Sequence, residues 1–351
     1  MRFLHLSNVG LFDTQTENRF GIDFPVEHLE AFQTVLHRAK KEEVDMVFIT
    51  GNLFAVPPTN DMLSEIDAMF GQLPNTRFYI LTGKKDASRE TEPYATYEWK
   101  SNTVVFYGDC IQRVFVRKYN LEVTGIGYAP ATWNKVLLEK ITAGKKGKLQ
   151  VLLLPGLRSN CTEEELRTLK TSFHYVALGD ETVTLGDTAE KLYSPGSFTP
   201  TEFSNQFEHG YIDGELETGN VLKTHFVPGT NREFVPLRVT TDESMDFESI
   251  EFEIQKTINQ YGSQNLYRIT FTGDTNPELY FGKEKLFELG NIVDIEDNTD
   301  RAEAIQKLLN EHEGDALGRF IRDMLPDDNQ EIRRKAMKYG IEALLTTRGK
   351  E

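Results

Sequence analysis

Only two cysteines, Cys110 and Cys161, occur in 351 residues, far apart, with no CxxC and no histidine at ligand spacing. Their scarcity excludes a disulfide framework and argues against a cysteine zinc site, so a reducing cytosol is the expected compartment. No apolar run approaches the length that crosses a bilayer. The opening Met1-Arg2-Phe3-Leu4-His5-Leu6-Ser7-Asn8 also lacks the charged-then-apolar order of a signal peptide. Together these features predict a cytoplasmic chain away from the membrane. Positive charge is in short supply as well: 39 Lys and Arg stand against 55 Asp and Glu, a formal net charge of −16. Phosphate neutralisation supplies most of the affinity of a protein that grips nucleic acid. The acidic balance therefore argues against a chain that holds a duplex unaided. Internal repeats and low-complexity stretches are missing too.

What is present is core material: 39% hydrophobic residues and 23 phenylalanines, enough to exclude disorder. The first two thirds alternate short apolar strands with amphipathic helices, the pattern of a layered α/β sheet. Strands are expected at Phe3–Leu6, Met46–Thr50, Phe78–Thr82, Thr103–Tyr107, Leu121–Gly125, Val151–Leu154 and Tyr175–Leu178. Leu29, Phe32, Val35, Leu36 and Ala39 recur at helical spacing, and a second helix is expected over Asp61–Phe70. Several strands stop at Gly followed by a polar residue. In open α/β sheets sites are built from the loops at the carboxyl ends of strands. Topology alone therefore predicts that Asn8, Asn52, Lys84, Pro155 and Asp180 converge.

From about Val183 to Val227 the dipeptides Asp213-Gly214 and Gly219-Asn220 read as hairpin turns. Phe226-Val227-Pro228-Gly229-Thr230-Asn231 reads as the linker. Beyond it, Pro236–Thr240 (strand), Phe247–Gln260 (helix) and Asn265–Thr272 (strand) make a compact α+β unit. Tyr267, Ile269 and Phe271 alternate with Arg268 and Thr270, so one face of that strand is expected to be wet. The remainder reads as helical, with apolar stripes Ala302/Ile305/Leu308/Leu309, Leu317/Phe320/Ile321/Met324 and Ile332/Ala336/Tyr339/Leu344. The expected divisions are 1–228, 229–290 and 291–351.

Six segments then carry a resemblance: RFLHLSNVGLF, EEVDMVFITGNLF, FYILTGKKD, VLLLPG, FHYVALGDET and LYSPGSFTPTEFSNQFEHGYIDGEL. In order and spacing, over roughly the first 215 residues, they resemble the SbcD-type double-strand-break nuclease subunits of the calcineurin-like phosphoesterase superfamily. The resemblance implies a four-layer metallophosphoesterase fold, two packed mixed β-sheets flanked by helices, with a small α+β capping domain and a helical C-terminus. It also implies a two-manganese centre, in which paired cations polarise a phosphodiester and activate a bridging water.

At the positions where that family places its ligands, this chain has other residues. Asn8 and Gly10 replace the first Asp and His, and Asn52 the bridging Asp. Lys84 stands at the ligand Asn, Lys85 at the His beside it, Pro155 at the late His, and Asp180 and Thr182 at the closing pair. None of the seven histidines falls on a ligand position. A pair of divalent ions wants carboxylates and imidazoles, so no metal cofactor is expected and the metal positions are degenerate.

Two readings of the altered cleft stand side by side. Lys84 and Lys85, with Asn8 and Asn52 as neutral donors and Asp86 beside them, form a metal-free phosphate or nucleotide site. Alternatively the lysines pair with Asp86 and Asp180 and fill the space, which is the favoured reading. A single weak Mg²⁺ or Ca²⁺ on Asp86, Asp180, Asn8 and Asn52 is a third arrangement. His174, beside Phe173 and Tyr175, reads as a satisfied histidine, and Cys161 before Glu163–Glu165 as an inert thiol at a helix start. The resemblance then implies a catalytically inactive, exonuclease-like subunit in DNA repair. It would be a scaffold or regulator docked by its C-terminal helices on an SMC-like coiled-coil ATPase of SbcC type, reaching DNA only through that complex. Family members often also form homodimers. The competing reading is an active Mn-dependent exonuclease or phosphodiesterase using non-standard ligands.

Overall fold

The structure, a computed structural model, describes residues 1–16, 20–87, 93–108, 110–128, 135–142, 147–156, 161–179, 185–186, 191–200, 203, 209–217, 221–230, 232–242, 244–274, 283–300, 302–324, 336–337, 339–341 and 344. It divides into two units, Met1–Asn231 and Arg232–Glu351.

The first unit begins with β1 (Arg2–Leu6), α1 (Phe24–Lys41), β2 (Met46–Thr50), α2 (Asn60–Gly71), β3 (Arg77–Leu81), α3 (Pro93–Thr96) and β4 (Thr103–Phe106). It continues with β5 (Gln112–Val116), β6 (Leu121–Gly125), α4 (Lys135–Thr142), β7 (Leu149–Pro155), α5 (Glu163–Ser172) and β8 (Tyr175–Gly179). The short strands β9 (Leu185–Gly186) and β10 (Leu192–Ser194) follow, then β11 (Gly210–Glu217) and β12 (Val221–Pro228). These strands form two six-stranded mixed sheets, ordered β12-β11-β1-β2-β3-β4 and β5-β6-β7-β8-β10-β9.

Parallel strands that are apolar throughout need cover on both faces, and the side chains show where that cover lies. In β2 and β3, Val47, Ile49, Phe78 and Ile80 turn outward into a core with Phe32, Leu36, Leu63 and Ile66 of α1 and α2. Their neighbours Met46, Phe48, Tyr79 and Leu81 turn inward and meet Val151, Leu153, Tyr175 and Ala177 of the second sheet. In that sheet Leu152, Leu154, Val176 and Leu178 face outward against Leu138, Ile141, Leu166 and Leu169 of α4 and α5. Helix, sheet, sheet, helix: this is the expected four-layer α/β architecture.

The helix starts follow local chemistry. Thr59 accepts a bond from the Met62 amide (3.3 Å), and Thr162 forms a capping box with Glu165, which places the acidic run Glu163–Glu165 at the favourable end of α5.

Two expectations in this unit fail. Asp213-Gly214 is no turn: both residues lie inside β11, paired with Leu4 and Phe3 on one side and His225 and Thr224 on the other. The hairpin pairs out to Glu217 and Val221, and the second turn dipeptide, Gly219-Asn220, lies outside the described residues. The Asp213 carboxylate is held inside the sheet by Arg38 at 2.6 Å, and that partner decides its fate where turn propensity does not. The linker expectation is also partly displaced, since Phe226–Pro228 complete β12.

In the second unit β13 (Phe234–Thr241), α6 (Phe247–Tyr261), β14 (Leu266–Asp274), α7 (Lys283–Leu286) and β15 (Ile292–Asp300) come first. The strands form a parallel sheet ordered β13-β14-β15. Ile250, Ile254 and Ile258 of α6 pack on Val239, Tyr267, Ile269 and Phe271, which leaves Arg268 and Thr270 on the wetter face as expected. β15 is a correction to the expected helical remainder. Its Asp and Glu residues disguise a strand, but it is an edge strand whose Asp294 meets Arg268 at 3.1 Å. Helices α8 (Ala302–Glu311) and α9 (Ala316–Met324) follow. Leu317 and Ile321 share a core with Met337 and Ile341, whereas Tyr339 is 66% exposed. The third apolar stripe is therefore carried by Met337, Ile341 and Leu344, and Ile332 lies outside the described residues. No helix among the described residues is long and apolar enough to cross a membrane.

Candidate functional site at the strand ends

The loops after β1, β2 and β3 do meet. Asn8 and Asn52 both sit in the left-handed region (φ 48 and 51), a conformation Asn tolerates better than most residues. The loops run side by side: Asn8 N–H donates to the Gly51 carbonyl (3.1 Å), Gly10 N–H to the Asn52 carbonyl (3.0 Å) and Leu11 N–H to the Leu53 carbonyl (2.9 Å). Side chains then tie them together. The Asn52 amide donates to Asn8 Oδ1 at 2.6 Å, and its own Oδ1 accepts the Lys85 backbone N–H at 2.8 Å. One side-chain amide thus joins three strand-end loops. Gly83 makes room for it, since a Cβ there would stand 2.3 Å from the Asn52 nitrogen and Oδ1.

Asp86 is fully buried, and neither lysine is its partner. It accepts Gly83 N–H (2.7 Å), the Tyr94 hydroxyl (3.0 Å) and Phe54 N–H at the edge of hydrogen-bond distance (3.4 Å). Burial pushes its carboxyl up to about 6 against the opposing pull of those donors. Lys84 and Lys85 point to solvent, so the expected lysine pairing with Asp86 is wrong: backbone amides nearer to hand already satisfy the carboxyl. The partner expected for the lysines on the other side, Asp180, lies outside the described residues, as does Thr182. Pro155 ends β7 in register with Gly179 of β8, and the Gly156 N–H reaches the Gly179 carbonyl at 2.6 Å.

Beneath the cleft the two sheets touch. A Cβ on Gly179 would lie 1.6 Å from the Thr50 carbonyl oxygen, so only glycine permits this approach. The Thr50 hydroxyl has one proton, directed at the Leu178 (3.1 Å) or Leu6 (3.3 Å) carbonyl. It therefore accepts from His5 Nε2–H at 2.7 Å, which leaves His5 Nδ1 to accept the Tyr175 hydroxyl at 2.8 Å. Burial drives the His5 ring down to about 3, so it is a neutral bridge between the sheets. Sequence reasoning missed this bridge, because its members lie far apart along the chain and no local motif joins them.

Other expected residues behave as structural ones. His174 Nδ1 accepts the Gln150 N–H at 3.0 Å. Burial, with Glu165 nearby, pushes the Cys161 thiol up to about 12, so it is no nucleophile at neutral pH. Among the described residues no group of three or more His, Cys, Asp or Glu could hold a metal ion.

No protein-family model matches the sequence, and no curated protein does. Solved structures with some likeness include a hypothetical protein from Thermus thermophilus, with TM-score 0.43 and 12% identity over 65% of this chain and 99% of that one. A dimetal phosphatase from Danio rerio gives 0.41 and 9%, covering 66% of this chain and 99% of that one. GAP50, the anchor in the inner membrane complex of Plasmodium, gives 0.40 and 13%, covering 65% of this chain and 84% of that one.

Proposed function

We propose that this chain is an SbcD-type phosphoesterase-fold subunit without a two-metal centre, acting as a non-catalytic scaffold or regulator beside an SMC-like ATPase of SbcC type in DNA repair. The observation that carries the reading is the Asn52 amide, which commits its donor to Asn8 and its acceptor to Lys85. A bridging ligand must hold two cations by charge, and this side chain is neutral and already engaged. Gly10 has no side-chain donor and Pro155 none that binds metal. Ammonium groups at Lys84 and Lys85, exposed at the rim, add positive charge where a cation would need negative, an effect that water and salt screen. The residues present do not fit a pair of manganese ions, and no catalytic step is derived through them.

Docking is supported by the second unit. α8 and α9 leave Ile305, Leu308, Leu309, Phe320 and Met324 only partly buried around their shared core, an apolar face suited to partner helices. The acidic balance supports contact with DNA through the complex.

The test has two arms. Affinity purification from native cells is expected to bring down a large coiled-coil ATPase, and a Phe320→Asp variant is expected to lose it. Purified protein assayed with Mn²⁺ is expected to leave DNA ends intact. Nuclease activity abolished by Asp86→Ala or Asp180→Ala would overturn the non-catalytic reading, and a native preparation free of any such ATPase would overturn the partnership.

A further inference from the structure

A sheet edge presents unpaired backbone donors and acceptors, and proteins blunt it with proline, charge or shortness. Among the described residues, nearly every edge of this chain is blunted in one of these ways. β12 carries Lys223 and ends on Pro228, and β13 contains Pro236. β15 holds Asp294, Glu296, Asp297 and Asp300 and shifts register against β14. β4 has four residues and β9 two. The remaining edge, β5, is different. Its sequence, Gln112–Val116, has no proline and pairs with β6 without a bulge, and no described strand lies beyond it.

The charge on β5 itself does not screen that edge. Arg113 turns back over the sheet: its guanidinium lies 3.8 Å from Glu122 of β6 and donates to the Lys140 carbonyl and, at 3.3 Å, to the Ile141 carbonyl near the end of α4. Phe115, on the same side of the strand, is 44% exposed, and Lys148 Nζ lies 3.7 Å from its ring centroid. Arg117 and Lys118, both exposed, follow directly. The acids beside them are already engaged, Glu122 buried next to Arg113 and Asp45 accepting Lys118 at 3.1 Å. On a chain of net charge −16 this edge is locally basic. On the opposite side of the strand Val114 and Val116 belong to the core between the sheets.

We propose that β5 is a docking edge for an extended acidic segment of a partner protein, in which carboxylates alternate with apolar side chains, added beside β5 as a further strand of the second sheet. Side chains of an added strand alternate between the two faces. Carboxylates on the outer face meet Arg113, Lys148 and Arg117, and apolar groups on the inner face extend the core at Val114 and Val116. Main-chain bonds supply the affinity and the alternation supplies the specificity. A basic segment would be repelled. The edge lies in the first unit, whereas the proposed ATPase contact lies on α8 and α9, so the two readings stand or fall separately.

The full chain is titrated with a fluorescein-labelled peptide of alternating Glu and Val, about six residues long as strands commonly are, and followed by fluorescence anisotropy. Saturable binding is expected, weakening about tenfold at high salt. A Lys-Val peptide of the same length is expected to bind at least about tenfold more weakly. Phe115→Glu, a change at an exposed site, is expected to weaken the Glu-Val peptide about tenfold while far-ultraviolet circular dichroism stays unchanged. Amide hydrogen exchange of the unsubstituted chain needs no variant: Gln112–Val116, and no other edge strand, is expected to gain protection when the Glu-Val peptide is added. No saturable binding, equal binding of the two peptides, or protection at another edge would overturn the proposal. Concentration-dependent dimerisation that Phe115→Glu abolishes would assign the edge to a second copy of this chain and overturn it as well.

Discussion

Acid should weaken the first unit through histidines that cannot accept a proton without losing their place. An unfolded histidine titrates near 6.5, whereas His5 is held near 3 and His209 near 4. Between those values the unfolded chain binds protons that the native chain refuses, so stability falls as pH falls. From pH 7 to pH 5 linkage gives about 2 kcal/mol lost at each ring. Asp86 works the other way. Its native value, near 6, lies above the ordinary 3.8, so the native state takes up a proton first and regains roughly 1 kcal/mol over the same interval. These three groups leave the unit roughly 2 to 3 kcal/mol weaker at pH 5, and His28, lowered in the same direction, adds to the loss. Both tryptophans, Trp99 and Trp133, belong to this unit's sequence, so tryptophan fluorescence during urea unfolding in the presence of chelator reports on it. In a His5→Gln variant the pH-dependent loss is expected to shrink by about 2 kcal/mol. Parallel curves for the two proteins, or a His5 ring that titrates near 6.5 by NMR, would refute the reasoning.

Three further outcomes follow from the same contacts. Gly179→Ala sets a methyl against the Thr50 carbonyl with no flexible side chain to yield, and is expected to lower stability by about 3 kcal/mol or more in urea unfolding. Asn52→Asp turns the donor facing Asn8 Oδ1 into an acceptor and is expected to lose about 2 kcal/mol at pH 7. Asn8→Asp keeps an acceptor opposite the Asn52 amide and is expected to be nearly neutral, an asymmetry read from the two melting curves; calorimetry with Mn²⁺ is expected to show no binding to either single variant. Asp213→Asn removes one of the two carboxylates that Arg38 and Arg2 share, Glu42 remaining as the other, and is expected to cost about 1 kcal/mol, measured against wild type at low and high salt.

The layered sandwich was legible because parallel strands covered on both faces must be apolar throughout. Met46–Thr50 and Leu121–Gly125 match their strands residue for residue. What misled was composition without context. The acids of β15 argue against a strand until Arg268 is seen opposite Asp294, and Asp213-Gly214 reads as a turn until Arg38 is seen to hold the carboxylate. In the cleft, the meeting of the loops that carry Asn8, Asn52 and Lys84 was legible from topology, but who bonds to whom was not. Opposite charge suggested lysine and Asp86. Proximity chose the Gly83 amide and the Tyr94 hydroxyl, because a buried carboxyl is satisfied by the nearest desolvated donors while a lysine gains more from water.

That preference explains how these strand ends stay ordered. Loops that present several carboxylates to one point repel one another unless cations lie between them. Here Asn8, Asn52, Lys84 and Lys85 are neutral or cationic, and the buried Asp86 carboxyl, raised to about 6 and so still charged at neutral pH, is enclosed by amide and hydroxyl donors. The Asn52 amide supplies the cross-link with complementary dipoles, a donor toward one loop and an acceptor toward another, so the geometry requires no net charge. A cleft balanced in this way resists the stepwise addition of carboxylates. The first one introduced at Asn52 would face the Asn8 oxygen with no cation between them to offset the repulsion.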